Sequence, residues 1–111
     1  MALTLTHTIT LVDCLGTLNE CISDISPSAD NPNTKLAIDL EGVDLCRYGR
    51  ISIFQILAAH SRIIWLVDIT TLGRVAFEHF DDEGRSLRSL LEGGETKKVR
   101  KFLAALVRVL Y

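Results

Sequence analysis

Two acidic residues separated by one position, Asp39 and Glu41, have the types and spacing that could do chemistry. They lie in the run KLAIDLE at Lys35–Glu41, whose apolar character predicts a β-strand. Because residues i and i+2 of a strand point to the same face, the two carboxylates should share a face with Ala37. The residues between them should face the core: Leu36, Ile38 and Leu40.

Two adjacent carboxylates repel each other, and a divalent cation relieves that repulsion. Hard cations such as Mg²⁺ prefer carboxylate oxygens, and a pair of such ions can assist phosphodiester cleavage. Gly42, which follows Glu41, permits the backbone to approach a ligand closely. The same Asp-x-Glu spacing also occurs on solvated strand faces, so the motif alone leaves both interpretations open.

The other charged candidates have simpler interpretations. Asp68 ends an apolar run and is expected to be a helix cap or a turn residue for Thr70–Thr71. Asp44 could be a further ligand, although a turn role fits it better. Some basic residues could meet phosphates, but such residues usually form a solvated face. They are Arg47, Arg50, Lys97, Lys98, Arg100 and Lys101.

The cysteines and histidines form no recognisable metal motif. Cys14, Cys21, Cys46 and His60 could in principle bind zinc, but their spacing matches no known ligand pattern. An odd number of cysteines without a CxxC pair predicts reduced thiols packed in the core of a cytoplasmic or nuclear protein. The histidines are expected at the surface, and they are His7, His60 and His79.

The elements that must position Asp39 and Glu41 follow from periodicity. Short connections join the runs Lys35–Glu41, Arg50–Ala58 and Arg62–Thr70, which predicts a three-stranded antiparallel meander. A strand at Thr8–Val12 and a helix capped by Asp13 should precede the meander. The other expected segments are a loop at Ser26–Thr34, a short helix within Thr71–Phe80 and a helix at Ser86–Glu92 stopped by Gly93.

The final eighteen residues differ in character from the rest of the 111-residue chain. Residues 1–93 hold seven basic and thirteen acidic side chains, a net charge of −6, whereas residues 94–111 hold five basic and one acidic, a net charge of +4. Apolar residues recur at helical spacing there, which predicts an amphipathic helix over Thr96–Leu110. No run approaches the length of a membrane-spanning helix, so no membrane partner is expected.

The segment KLAIDLEGVDLCRYGRISIFQI, Lys35–Ile56, resembles the first motif of DEDD-type 3′–5′ exonuclease domains, in the RNase D-like group of the RNase H-like fold. The more diffuse resemblance extends from Thr8 to Val99. It implies an α/β fold in which Asp39 and Glu41 are catalytic and bind Mg²⁺ or Mn²⁺. It also implies nucleic acid, RNA or DNA, as the partner, with Gly42 and Val43 at the substrate.

The resemblance further implies that residues 1–98 form the N-terminal part of such a domain and residues 99–111 a divergent tail. The family's second and third acidic motifs are not found in this sequence, so we expect the chain to be truncated and inactive. The family also places a strand beside Lys35–Glu41, where the local pattern predicts a helix. If that helix forms, an open sheet edge and the apolar tail should favour self-association.

Three interpretations remain open from the sequence. The first is an exonuclease domain that hydrolyses phosphodiesters with two metal ions. The second is a non-catalytic remnant or protein-interaction module of the same fold. The third is an unrelated α/β regulatory domain that dimerises through its helical tail and binds no metal.

Overall fold

The computed structural model of the chain describes residues 7–43, 50–93 and 97–99, with side chains for residues 7–40 and 52–93. Five strands and four helices lie within these ranges. In chain order they are β1 (Thr8–Val12), α1 (Leu15–Ile25), β2 (Lys35–Val43), β3 (Arg50–Ala58), β4 (Ile63–Asp68), α2 (Ile69–Leu72), α3 (Val75–Glu78), α4 (Leu87–Glu92) and β5 (Lys97–Val99).

The strands form one mixed sheet in the order β1-β4-β3-β2-β5. β2, β3 and β4 are antiparallel neighbours in sequence order, which confirms the predicted meander. β1 adds in parallel to β4, with Thr8 beside Ile63 and Val12 beside Val67. The register between β2 and β3 shifts at a β-bulge between Glu41 and Gly42.

The helix predicted over Thr96–Leu110 is wrong at its start, where the structure has the strand β5. Lys97–Val99 forms a strand that pairs in parallel with β2, from Lys35 to Ala37. Hydrogen bonding to an existing strand edge therefore overrides the local helical period, as the resemblance implied. Residues 100–111 lie outside the described range, so the rest of that helix and the separate tail remain predictions.

All four helices lie on the same side of the sheet. The buried side chains of α1, α3 and α4 join one core cluster with β2, β3 and β4, and α2 packs against this cluster through Ile69 and Leu72. Phe54 of β3 meets Phe77 of α3 edge to face, with ring centroids 5.6 Å apart. The described architecture is thus a single helical layer on one face of a sheet.

Two details of the predicted helices are wrong, and both concern where a helix begins or ends. Cys14, rather than Asp13, is the N-cap of α1. The segment after β4 forms two short helices, because Gly73 adopts a left-handed φ of 63° between them. Gly93 ends α4 as predicted, and a Cβ there would lie 2.8 Å from the carbonyl oxygen of Ser89.

Across the described ranges, no helix is long and apolar enough to cross a membrane.

Candidate metal and nucleic-acid site on the sheet

Asp39 lies on β2, on the sheet face that the helices leave uncovered. Leu36 and Ile38 are buried on the helical side, at 0% and 7% exposure, and Leu40 packs against the same core. The residues between them, Ala37 and Asp39, are exposed. Strand alternation therefore divides β2 into a core face and an acidic face, as the sequence predicts.

The Asp39 carboxylate has few protein partners. Its Oδ1 accepts a hydrogen bond from the backbone N–H of Leu40 at 2.9 Å. In the sheet register Asp39 lies opposite Gln55, whose side chain is also exposed. Within the described ranges Oδ2 has no hydrogen-bond donor, so it is accessible to a cation.

Glu41 lies two residues further along β2, opposite Ile53, and strand alternation places it on the same face as Asp39. Gly42 and Val43 follow the bulge, opposite Ile51 and Arg50. The side chains of these three β2 residues lie outside the described range, so their proposed metal and substrate contacts remain predictions. The bulge is notable because bulges often occur next to active sites, where they redirect the chain.

The uncovered sheet face, here called the open face, is mostly apolar around Asp39. We define it by the alternate residues of β1–β4 that point away from the helices. They are Ile9, Leu11, Lys35, Ala37, Asp39, Ile53, Gln55, Leu57, Ile64, Leu66 and Asp68. Ile9 is 65% exposed and Leu11 is 48% exposed, so large apolar side chains on the open face are accessible to solvent.

Asp68 shares the open face but has a different role. The register aligns Glu41, Ile53 and Asp68 across three strands. Two strand spacings separate the acidic positions by about 10 Å, too far for both to bind one ion directly. Asp68 instead caps α2: its Oδ1 accepts from the N–H of Thr71 at 3.0 Å, and its Oδ2 accepts from the Thr71 hydroxyl at 2.7 Å. This confirms the predicted cap.

The bonds from the Thr71 hydroxyl and backbone lower the pKa of Asp68 below its ordinary value. The carboxylate is therefore held ionised as an acceptor for the helix end. The alignment of Asp68 with Glu41 is not predictable from local sequence, because it depends on the registers of two strand pairs.

His7 is exposed, as predicted, and the other two histidines make hydrogen bonds that join separate segments of the chain. His60 Nε2 donates to the carbonyl oxygen of Asp24 at 2.7 Å, and its Nδ1 lies 2.6 Å from the Thr34 hydroxyl. His79 is half-buried, and its Nε2 lies 2.9 Å from Oδ1 of Asn19. Thus His60 is exposed as predicted, whereas His79 is partly enclosed between α1 and the end of α3.

The cysteines follow the prediction only in part. Cys21 is buried in α1, where burial raises the pKa of its thiol. Cys14 is exposed, so its predicted core position is wrong, and a hydrogen bond with Thr17 lowers the pKa of its thiol. Cys46 and Asp44 lie outside the described residues. Within those ranges, no group of three or more His, Cys, Asp or Glu side chains could hold a metal ion.

Two clefts lie in other parts of the described structure. One, of about 530 Å³, is lined by the loop at residues 30–35 together with Ala59 and His60. The other, of about 690 Å³, lies beside Trp65 and the outer side of α1. Neither cleft is lined by Asp39. Asp39 itself is exposed on the sheet face.

The carboxylate oxygens of Asp39 and Glu41 are the type of ligand that a hard divalent cation prefers. Two carboxylates alone do not fill the coordination sphere of such an ion. Mg²⁺ and Mn²⁺ accept carboxylate oxygens and complete their coordination with water and phosphate oxygens. Two carboxylates on one strand can provide one side of such a site. Among the candidate phosphate-binding residues, Arg47, Arg100 and Lys101 lie outside the described range, and for Arg50, Lys97 and Lys98 only the backbone is described.

The fold has a clear structural counterpart. The RNase D of Trypanosoma brucei in complex with the RNA U12 matches the chain with a TM-score of 0.62 and 24% sequence identity, over 85% of this chain and 30% of that chain. A second structure of Trypanosoma brucei RNase D matches with a TM-score of 0.47 and 22% identity, over 63% of this chain and 24% of that chain. No known family profile matches the sequence. No curated protein matches it either.

The first match defines the class of fold. The chain has the mixed α/β architecture found in RNase D, an RNase H-like sheet, as the sequence resemblance implied. It spans about a third of the length of that RNase D. The shared feature is the described sheet and its helical layer.

Proposed function

We propose that this chain provides the first acidic motif of a 3′–5′ exonuclease domain that acts on nucleic-acid ends. One observation carries this proposal: Asp39 is exposed on a strand of a sheet like that of RNase D, and Glu41 follows two positions later on the same strand. The strand is an interior strand of the described sheet, with β3 on one side and β5 on the other. In the comparison structure the related enzyme is in complex with RNA, which favours nucleic acid as the partner.

In this proposal Asp39 and Glu41 each donate carboxylate oxygens to Mg²⁺ or Mn²⁺. The bound ion would polarise a phosphodiester and lower the pKa of the attacking water. Asp39 suits this role because it is exposed and because its Oδ2 is accessible, while the N–H of Leu40 fixes Oδ1. Gly42 and Val43, just beyond the bulge, are proposed to lie against the terminal nucleotide.

We also propose that the chain alone does not hydrolyse nucleic acid. Two-metal hydrolysis needs enough ligands to fix both ions and the attacking water, whereas Asp39 and Glu41 supply only one side of such a site. Asp68 is aligned with Glu41 but is bonded to Thr71 and lies about 10 Å away across the sheet. Removing single members of a catalytic group can already cost several orders of magnitude in rate.

The test is a nuclease assay on a 3′-labelled oligoribonucleotide and its deoxy counterpart, with Mg²⁺ or Mn²⁺. We expect no shortened product from the parent chain at any concentration at which it remains folded. The matched variants are Asp39→Asn and Glu41→Gln, with Asp30→Asn in the exposed loop as the control. A product ladder from the parent and Asp30→Asn that disappears in Glu41→Gln would contradict the proposed inactivity.

A non-catalytic interaction module is the second candidate, and the apolar surface of the open face favours it. The two candidates differ in metal binding. The exonuclease proposal requires an ion whose binding depends on Asp39, whereas an interaction module requires none. Manganese binding that is lost in Asp39→Asn therefore separates them, even when neither version of the chain cuts nucleic acid.

A further inference from the structure

We propose that β1 pairs with β1 of a second copy of this chain, in an antiparallel arrangement centred on Thr10. The pairing joins two sheets edge to edge about a two-fold axis. It rests on the direction of the backbone groups of β1, on the side chains along this strand and on the charges at its two ends. It does not depend on nuclease function.

β1 is the outermost strand on one side of the described sheet. Within the part of the chain that the structure describes, β1 pairs only with β4, and the two strands are parallel. The Thr8 N–H donates to the carbonyl oxygen of Arg62 at 2.8 Å. Because alternate residues of a parallel strand direct both backbone groups to the same neighbour, every second residue from Thr8 to Val12 bonds towards β4. Ile9 and Leu11 therefore direct their N–H and carbonyl groups away from the sheet.

The sequence of β1 lacks the features that normally protect an edge strand. Such strands commonly carry lysine, proline or a bulge. The five residues TITLV contain no charge and no proline, and β1 keeps a continuous register with β4 along its whole length. Ile9 and Leu11 are exposed, and on the helical side Thr10 lines the cleft beside Trp65, so the helices leave room over the middle of β1. The edge is therefore accessible to another strand.

One register lets β1 pair well with itself. It places Thr10 opposite Thr10 of the second copy. Ile9 then lies opposite Leu11, and His7 lies opposite Asp13. The outward-directed backbone groups of Ile9 and Leu11 exchange hydrogen bonds across the axis, and their apolar side chains meet on the same face of the joined sheets. A shift of two residues would place Ile9 or Leu11 opposite itself and would separate His7 from Asp13.

The charged and polar ends of β1 favour the antiparallel direction. Asp13 is exposed, and the backbone is still extended at Cys14, so Asp13 continues the line of the strand. His7 is exposed at the other end. The two-fold axis brings each Asp13 next to His7 of the second copy, and a histidine can donate a hydrogen bond to a carboxylate in either protonation state. A parallel pairing would instead place two Asp13 carboxylates side by side.

This pairing leaves the candidate metal site accessible. Asp39 on β2 is separated from β1 by β3 and β4, which is three strand spacings or about 14 Å. The second sheet continues the first beyond β1 and does not lie across the open face. Two strands of this length form a small interface, in the class below about 1,200 Å² that is typical of weak association. We therefore expect a dimer that dissociates on dilution.

Sedimentation equilibrium of the full chain tests the pairing. We expect a monomer–dimer equilibrium with a Kd on the order of 100 µM. Leu11→Pro removes an N–H that points away from β4, so it should abolish the dimer and leave Trp65 fluorescence unchanged. Leu11→Ala shortens the same side chain but keeps the N–H, and it should dimerise more strongly than Leu11→Pro. A parent chain that stays monomeric up to about 1 mM would exclude a second copy as the occupant of this edge and overturn the proposal.

Charge variants at the ends of β1 test the same pairing without altering the strand. His7→Glu places two carboxylates together at both ends of the interface and should weaken dimerisation by roughly threefold to tenfold. Adding Asp13→Lys to His7→Glu restores a pair of opposite charges at each end and should recover the association of the parent. Equal association of the parent, the single variant and the double variant would overturn the proposed register.

A cysteine at the two-fold axis reads the register directly. In a chain with Cys14→Ser and Cys46→Ser, Thr10→Cys places two thiols at strand positions whose Cα atoms lie about 4.5 Å apart, within reach of a disulfide. Oxidised glutathione should produce a linked dimer from Thr10→Cys and much less from Thr8→Cys, because position 8 lies opposite Val12. Equal cross-linking of the two variants would overturn the proposal.

Discussion

The carboxylate of Asp24, near the end of α1, joins this helix to the turn between β3 and β4. Its Oδ2 accepts hydrogen bonds from Trp65 Nε1 at 2.8 Å and from the Ser61 hydroxyl at 2.6 Å. Its carbonyl oxygen accepts from His60. Since Trp65 is only 3% exposed, Asp24 satisfies an indole N–H that water reaches poorly. One residue therefore fixes α1 against β4 and the turn that precedes it.

Replacing Asp24 by alanine should destabilise the chain by about 1–3 kcal/mol, because the buried Trp65 N–H loses its acceptor. Asp24→Asn keeps an oxygen acceptor and should lose less. Urea unfolding followed by tryptophan fluorescence measures both variants, since Trp65 is the only tryptophan. Equal stability of Asp24→Ala and the parent would show that these hydrogen bonds contribute no net free energy.

The positions of candidate-site residues could be predicted from the sequence only where they follow from the alternation within a single strand. Asp39 and its apolar neighbours follow from the two-residue period of β2. The cap formed by Asp68 follows from its place between an apolar run and two threonines. The alignment of Asp68 with Glu41, and the role of Asp24, depend on contacts between distant segments that periodicity does not encode.

Among the secondary-structure elements, the antiparallel meander could be predicted from the sequence, whereas the strand β5 could not. β2, β3 and β4 are long apolar runs joined by short connections, so their pairing follows from the sequence. β5 is three residues long and lies in a segment with a helical period. Its conformation is set by hydrogen bonds to β2, some sixty residues earlier, so local reasoning failed there.

The cap of α2 predicts a pH dependence. Because the Asp68 pKa is lowered in the folded chain, its contribution to stability is full above the ordinary value of 3.8 and is lost as the pH falls through the lower folded value. Asp68→Asn keeps an oxygen acceptor for Thr71 but cannot titrate. The parent's stability advantage over Asp68→Asn should therefore be larger at pH 7 than at pH 3, measured by urea unfolding. An advantage that does not change with pH would contradict this role.

For the whole molecule, one helical layer on one sheet face makes the core dependent on few large side chains. Phe77 is 2% exposed and packs on Phe54, whereas Phe80, three residues later, is 62% exposed. Phe77→Ala should cost about 3–5 kcal/mol in unfolding free energy. Phe80→Ala should change it by less than about 0.5 kcal/mol. Similar losses from both substitutions would contradict the described core.

The central claim is that Asp39 and Glu41 form one side of a divalent-cation site, and a calorimetric titration with Mn²⁺ tests it most directly. We predict weak binding, with a Kd on the order of millimolar, because only two carboxylates contribute. The binding should disappear in Asp39→Asn and remain in Asp30→Asn, whose carboxylate lies in the exposed loop. Micromolar binding that survives Asp39→Asn, or no binding by the parent chain, would contradict the account.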